Sequence, residues 1–138
     1  MTVVILIGSA VIVATMAVAS GSFEMANRGL RRLEALFERR AWRGTSFAVL
    51  IAAVLWIQLV LSISIWSWAL LYRYLGLFTD IEPALYFAIV SFTTVGYGDL
   101  VLDPEWRLLA GMTATNGLLI FGLFTAFLVD VVKVLRAS

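Results

Sequence analysis

The stretch Thr93-Thr94-Val95-Gly96-Tyr97-Gly98-Asp99 decides the fold of this chain. It contains two glycines, two residues apart, and glycine adopts positive φ without a Cβ penalty. When alternate residues of an extended backbone take such unusual dihedrals, successive carbonyl groups point to one side. The stretch follows a short apolar segment and lies between two long ones. At membrane depth, a backbone that is neither helix nor strand is tolerated only where it is buried in protein or lines an aqueous path.

The composition predicts an integral membrane protein. Of the 138 residues, 62% are apolar and 14% are charged, with a mean hydropathy of +1.00. Soluble domains are about 45–50% apolar and about 25% charged. The chain has no cysteine and no histidine, which excludes disulfides, thiol catalysis, Cys- or His-ligated zinc and imidazole pH switching. The net charge of +1 gives no indication of a nucleic-acid partner.

Three apolar segments, residues 2–22, 45–71 and 108–129, reach the length of about 20 residues that a membrane-spanning helix needs. Residues 84–92 are also apolar but too short to span, so they predict a re-entrant helix that begins at Glu82-Pro83. The predicted fold is an all-α membrane protein with three transmembrane helices, one re-entrant helix and an irregular loop.

The distribution of arginine and lysine predicts the orientation. Segment 23–44 holds six of the ten basic residues, whereas segment 73–107 is mainly acidic. We therefore expect the linker and the C-terminus to be cytoplasmic and the N-terminus to be outside. A cleaved signal peptide ending near residues 17–19 is the alternative, but no basic region precedes the apolar run. An aromatic belt is expected at the outer end of the second span, from Trp66, Trp68, Tyr72 and Tyr74.

The linker has apolar residues at helical spacing, Leu30, Leu33, Leu36 and Phe37, among basic ones. This pattern predicts an amphipathic helix along the inner membrane face. Anionic lipids are its expected partners, at Arg28, Arg31, Arg32, Arg39 and Arg40. Alternatively, these residues only fix the topology. The first span is expected to cover the second helix towards lipid or to contact a neighbouring subunit, and a regulatory role for it stays open.

Residues 46–134 resemble the bacterial pore-only, two-transmembrane potassium channels, and the TVGYGD stretch is identified as their selectivity filter. The resemblance implies a pore domain at residues 45–138, preceded by an additional transmembrane helix at 1–22 and the linker at 23–44. Within the pore domain it implies an outer helix at 45–72, a pore helix at 83–93, a filter at 94–99 and an inner helix at 107–135. It also implies the plasma membrane of a bacterium or archaeon.

By this resemblance, K⁺ is bound by the backbone carbonyls of Thr94, Val95, Gly96 and Tyr97 and by the Thr94 hydroxyl, and Gly98 completes the filter. The side chains of Val95 and Tyr97 would pack behind the filter strand. One chain supplies one strand, so closing each ring of oxygens requires a homotetramer. The resemblance thus implies a protein that is not an enzyme and has no cofactor, with K⁺ ions bound in its filter.

The filter's expected support departs from some relatives, which have a buried glutamate behind the filter where this chain has Val90. We expect the Tyr86 hydroxyl to reach Asp99 instead and to brace the outer end of the filter. In the inner helix, Gly117 is either a hinge or a close-packing residue, and Gly122 shares the packing alternative. By the same alignment Leu118, Phe121 and Thr125 would face a cavity, with Val129 and Lys133 near the cytoplasmic constriction.

Other classes of function fit the sequence less well. An enzyme or active transporter would need a phosphate loop, a metal cluster or buried charges in the spans, and only Asp130 near one end qualifies. A silent subunit need not keep the 94–99 stretch. A non-selective cation channel would typically replace Tyr97 or shorten the stack of oxygen sites.

Overall fold

The computed structural model describes residues 1–37 and 45–137, which form four helices. They are α1 (Thr2–Phe37), α2 (Thr45–Tyr74), α3 (Ile81–Phe92) and α4 (Arg107–Ala137). Helices α1, α2 and α4 are long and apolar enough to cross a membrane, and α3 is shorter. The described residues contain no β-strand that pairs in a sheet. The predicted all-helical fold with three long apolar helices is confirmed, and the ends of α2, α3 and α4 lie within two residues of their expected positions.

The first helix does not end near residue 22, where the sequence predicts the start of a separate linker. It continues to Phe37 as one helix of 36 residues, since the segment contains no proline and the separate glycines Gly21 and Gly29 do not interrupt it. Phe23 packs edge-to-face on Phe127 of α4, with ring centroids 5.8 Å apart, and Leu30 is buried. Phe23 and Leu30 therefore pack against the helix bundle, and residues 23–30 continue α1 instead of starting a second helix.

Two of the predicted lipid-binding residues, Arg39 and Arg40, lie outside the described residues, as does Arg43. The backbone of Arg31 belongs to α1, but its side chain is not among those described. Arg28 and Arg32 are exposed. Lipid binding by this segment therefore stays a prediction, and the structure bears on it only through these last two arginines.

Helix α1 packs chiefly on α4 and less on α2, the helix that the sequence analysis expects it to cover. A buried hydrogen bond joins α4 to α1, from Asn116 Nδ2 to Thr15 Oγ1 at 2.7 Å. The Thr15 hydroxyl donates to the Val11 carbonyl at 2.8 Å, so its oxygen is left to accept from Asn116. Gly8 lies directly against Met112, where even a Cβ would come within 2.7 Å of the Met112 methyl carbon. Small and polar residues thus allow α1 to approach α4 closely.

Helix α2 ends in a Schellman motif at Gly76, which adopts a φ of 74°. The Gly76 N–H donates to the Arg73 carbonyl at 3.1 Å, and the Leu77 N–H donates to the Tyr72 carbonyl at 3.1 Å. These two bonds satisfy carbonyls that the helix end would otherwise leave unpaired. The turn sends the chain back into the bundle as α3.

An aromatic cluster of Trp68, Tyr72, Phe78 and Phe87 joins α2 to α3. The Tyr72 ring lies 5.2 Å from Phe87 and 6.1 Å from Trp68, measured between centroids. The Tyr72 hydroxyl also hydrogen-bonds Thr113 Oγ1 of α4 at 2.5 Å. Trp68 and Tyr72 are fully buried, so assigning them to an aromatic belt is wrong. Their rings hold α3 in place, whereas Trp66 and Tyr74 are exposed as expected.

Candidate functional site

The backbone of the segment after α3 alternates in handedness. Thr94, Gly96 and Gly98 have φ values of 62°, 56° and 78°. The glycines adopt this region at no steric cost, but a β-branched residue such as threonine adopts it rarely, and only when its surroundings impose it. The positive φ of Thr94 is missed by sequence reasoning, which assigns unusual dihedrals to glycine alone. Alternation over three positions is the geometry expected of a strand whose carbonyls share one side.

The segment is tied to the last turn of α3 by three backbone hydrogen bonds. The N–H groups of Thr93, Thr94 and Gly96 donate to the carbonyls of Ile89, Ser91 and Val90, at 2.9, 3.0 and 3.2 Å. These bonds satisfy the carbonyls that the helix end leaves without partners. They also fix the start of the strand relative to α3, which the aromatic cluster in turn holds against α2.

Tyr86 and Asp99, which the sequence analysis pairs, lie together in the structure. The Tyr86 hydroxyl donates to Asp99 Oδ2 at 2.7 Å, joining α3 to the residue that follows the strand. This hydrogen bond lowers the pKa of Asp99 and raises the pKa of Tyr86. For Asp99 the stabilisation is present above its ordinary pKa and is lost as the pH falls through the lowered value. For Tyr86 it is present below its ordinary pKa and is lost as the pH rises through the raised value.

The side chains of Val95 and Tyr97 are not packed behind the strand by this chain. They are 52% and 74% exposed, so the expected packing behind the strand is absent within one chain. The residues of the strand itself, 94–98, are exposed as well. Apolar and aromatic side chains on a strained loop are held only if something covers them. Within the described residues of a single chain, both side chains stay more than half exposed.

Gly117 packs against the end of α3. A Cβ at this position would overlap the carbonyl oxygen of Phe92 and lie 2.8 Å from its carbonyl carbon. Of the two alternatives for Gly117, the structure therefore provides direct support for close packing. Gly122 differs, because a Cβ there would meet no atom within 4 Å, so close packing of Gly122 within the chain is wrong.

The residues predicted to line a cavity and a constriction share one uncovered face of α4. Leu118 is 61% exposed, and the other four, Phe121, Thr125, Val129 and Lys133, are exposed as well. The Phe121 ring lies 6.0 Å from that of Phe92, which brings this face next to the end of α3. Near the other end, Lys133 pairs with Asp130 at 3.6 Å. In the exposed setting of one chain such a pair adds little stability.

Comparisons with known proteins agree with this architecture. Residues 44–134, well over half of the chain, match a protein family described as ion channels. The chain is also similar to the potassium voltage-gated channel protein shk-1 of Caenorhabditis elegans, with 47% identity over 47 residues. That alignment covers 33% of this chain and 9% of the worm protein. No solved structure matches the chain. From the matched family and the helical architecture together, we conclude that the chain belongs to the ion-channel family.

Proposed function

We propose that the chain is one subunit of a potassium-selective channel and that residues 94–98 form its selectivity filter. The observation that carries the proposal is the alternation of positive φ at Thr94, Gly96 and Gly98. In a strand of this kind, backbone carbonyls on one side replace the hydration shell of a dehydrated K⁺ ion. The carbonyls of Thr94, Val95, Gly96 and Tyr97 and the Thr94 hydroxyl are the proposed ligands, and similarity to a potassium channel supports K⁺ as the ion.

The proposed assembly is a homotetramer with the filter on its axis. One chain contributes one strand, and four strands close each ring of oxygens. The exposed side chains of Val95 and Tyr97 and the uncovered face of α4 are surfaces that neighbouring subunits would cover. In such a tetramer Leu118, Phe121 and Thr125 line a central cavity, and Val129 and Lys133 lie towards the inner mouth.

The proposed topology places the N-terminus and residues 73–107 outside, and the Arg-rich linker and the C-terminus in the cytoplasm of a bacterium or archaeon. It follows from the basic residues near the cytoplasmic ends of the spans. Conduction is passive: an ion enters from the cavity, exchanges water for carbonyl oxygens and leaves at Asp99. The Tyr86–Asp99 hydrogen bond braces the outer end of the strand against collapse.

The test is the reversal potential of the purified protein in planar bilayers, with potassium on one side and sodium on the other. We expect a reversal potential far from zero with the potassium side negative, as a pore much more permeable to potassium than to sodium requires. A reversal potential near zero with clear current would refute the selective filter.

If the wild-type pore is closed, a Val129→Asp variant provides current for the same measurement. Four carboxylates at one level repel each other and draw in water, which favours an open inner mouth. Current through this variant with equal permeability to both ions would refute the proposal just as directly.

A further inference from the structure

An apolar groove of about 460 Å³ lies between α1, α2 and α4, at the ends of the helices that face away from the filter. Met25, Gly29 and Leu30 line it from α1, Ala48 and Ala52 from α2, and Phe127 from α4. The groove exists because small residues on α1 and α2 face each other. A Cβ added to Gly29 would meet no atom within 4 Å.

The medium around the groove restricts what fills it. Helices α1 and α2 are long and apolar enough to cross a membrane, and the groove's described lining is apolar apart from the indole of Trp56. That indole N–H is buried away from solvent. Water has too few polar partners there to be held. In a membrane, lipid hydrocarbon borders the open side of the groove, so an acyl chain is the occupant that we expect. From Ala48 to Trp56 the groove follows α2 for about 12 Å at a rise of 1.5 Å per residue.

Two arginines of α1 neighbour in sequence the residues that line the groove. Arg28 adjoins the groove-lining Gly29 in sequence, and Arg32 lies about one turn further along α1. Both arginines are exposed. A lipid whose chain fills the groove would place its headgroup near these guanidinium groups, which bind phosphate oxygens in a bidentate fashion.

We propose that this groove is a binding site for one anionic phospholipid per subunit, with an acyl chain against Gly29 and Ala52 and the phosphate at Arg28 and Arg32. The site differs from the predicted surface contact of an interfacial helix, because the lipid chain enters between the spans. It contacts Phe127 and Val131 of α4, two residues to either side of Val129. The inference is independent of which ion the channel conducts.

The test uses native mass spectrometry of the delipidated channel with added phosphatidylglycerol or phosphatidylcholine. We expect the wild type to retain up to one phosphatidylglycerol per chain. Gly29→Leu fills the groove from within and should lower retention about tenfold, as expected when roughly two chain methylenes are displaced. Gly21→Leu is the matched control, since Gly21 is on the same helix and its Cβ also meets no atom within 4 Å. Its retention should equal that of the wild type.

A second pair of variants tests the headgroup. Arg28→Gln and Arg32→Gln should each weaken phosphatidylglycerol retention about fivefold and leave the weaker retention of phosphatidylcholine unchanged. If Gly29→Leu does not assemble, Ala52→Phe fills the same groove from α2 and should give the same loss.

Several outcomes would overturn the proposal. One is equal retention by Gly29→Leu and Gly21→Leu in assembled protein. Another is no retention by the wild type, which would mean that protein and not lipid closes the groove. Equal binding of both lipids by the wild type would overturn the assignment of the arginines.

Discussion

Replacing Gly117 by alanine tests the contact between α4 and the end of α3. The added Cβ would overlap the Phe92 carbonyl oxygen and lie 3.3 Å from Phe92 Cδ1. A backbone carbonyl at a helix end cannot rotate aside as a side chain does, so α3 or α4 must shift. Overpacking of this kind costs about 1–3 kcal/mol, whereas alanine in place of a helical glycine gains about 1 kcal/mol. Because the clash is with a backbone atom, we place its cost at about 2–3 kcal/mol, and the net loss in the free energy of unfolding should be about 1–2 kcal/mol.

Gly122→Ala is the matched control on the same helix. Within its own chain the Cβ would meet nothing within 4 Å, so inside one subunit only the gain in helix propensity applies, up to about 1 kcal/mol. Unfolding of both variants in detergent micelles, followed by circular dichroism, should therefore show midpoints on opposite sides of the wild type. Recordings in bilayers should show an additional effect for Gly117→Ala, since a shifted Phe92 carbonyl moves the start of the proposed filter.

Equal or higher stability of Gly117→Ala would refute the reasoning. A glycine that serves only as a hinge predicts this outcome, because alanine would then stiffen the helix without a clash. The measurement thus separates packing from bending, which the sequence pattern leaves equivalent.

Three further changes test the site and the first helix. Tyr86→Phe removes the hydrogen bond to Asp99 and should accelerate the decay of current. In the wild type, the decay should also become faster as the external pH falls through the lowered pKa of Asp99. The variant should lack this response to pH. An unchanged decay rate in Tyr86→Phe would contradict the bracing role. Gly96→Ala forces an L-residue to a φ of 56° at about 1–2 kcal/mol, and the potassium-to-sodium permeability ratio should drop; a preserved ratio would contradict it. Thr15→Val leaves the buried Asn116 amide without its acceptor and should lower the free energy of unfolding, measured by thermal unfolding, by about 1–3 kcal/mol. Asn116→Leu should cost less, because it also removes the unpaired Asn116 Oδ1. A larger loss for Asn116→Leu than for Thr15→Val would contradict this.

The positions of the helices could be predicted because a bilayer imposes a length on each span and leaves long charge-free stretches in the sequence. The packing of those helices could not. In a membrane span all faces are apolar, so periodicity does not identify the buried face. The burial of Trp68 and Tyr72 and the packing of α1 on α4 are therefore visible only in the structure.

Of the candidate site, too, one part could be predicted from the sequence and another part could not. The glycine spacing predicts left-handed backbone at Gly96 and Gly98, but no rule of residue preference predicts it at Thr94, where the surrounding loop imposes it. The Tyr86–Asp99 pair could be anticipated from the resemblance, since Val90 stands where some relatives have the glutamate that partners this aspartate. The contact of Gly117 with Phe92 depends on how closely two helices cross, which the sequence does not encode locally.

The exposure of Val95 and Tyr97 in one chain has a consequence for assemblies that mix intact and altered chains. If neighbours hold each strand, a defective subunit damages the strands beside it as well as its own. In a randomly mixed fourfold assembly with equal amounts of intact and defective chains, only about one channel in sixteen contains four intact copies. Filter substitutions in this protein should therefore act dominantly: co-expression would silence far more current than the share of altered chains.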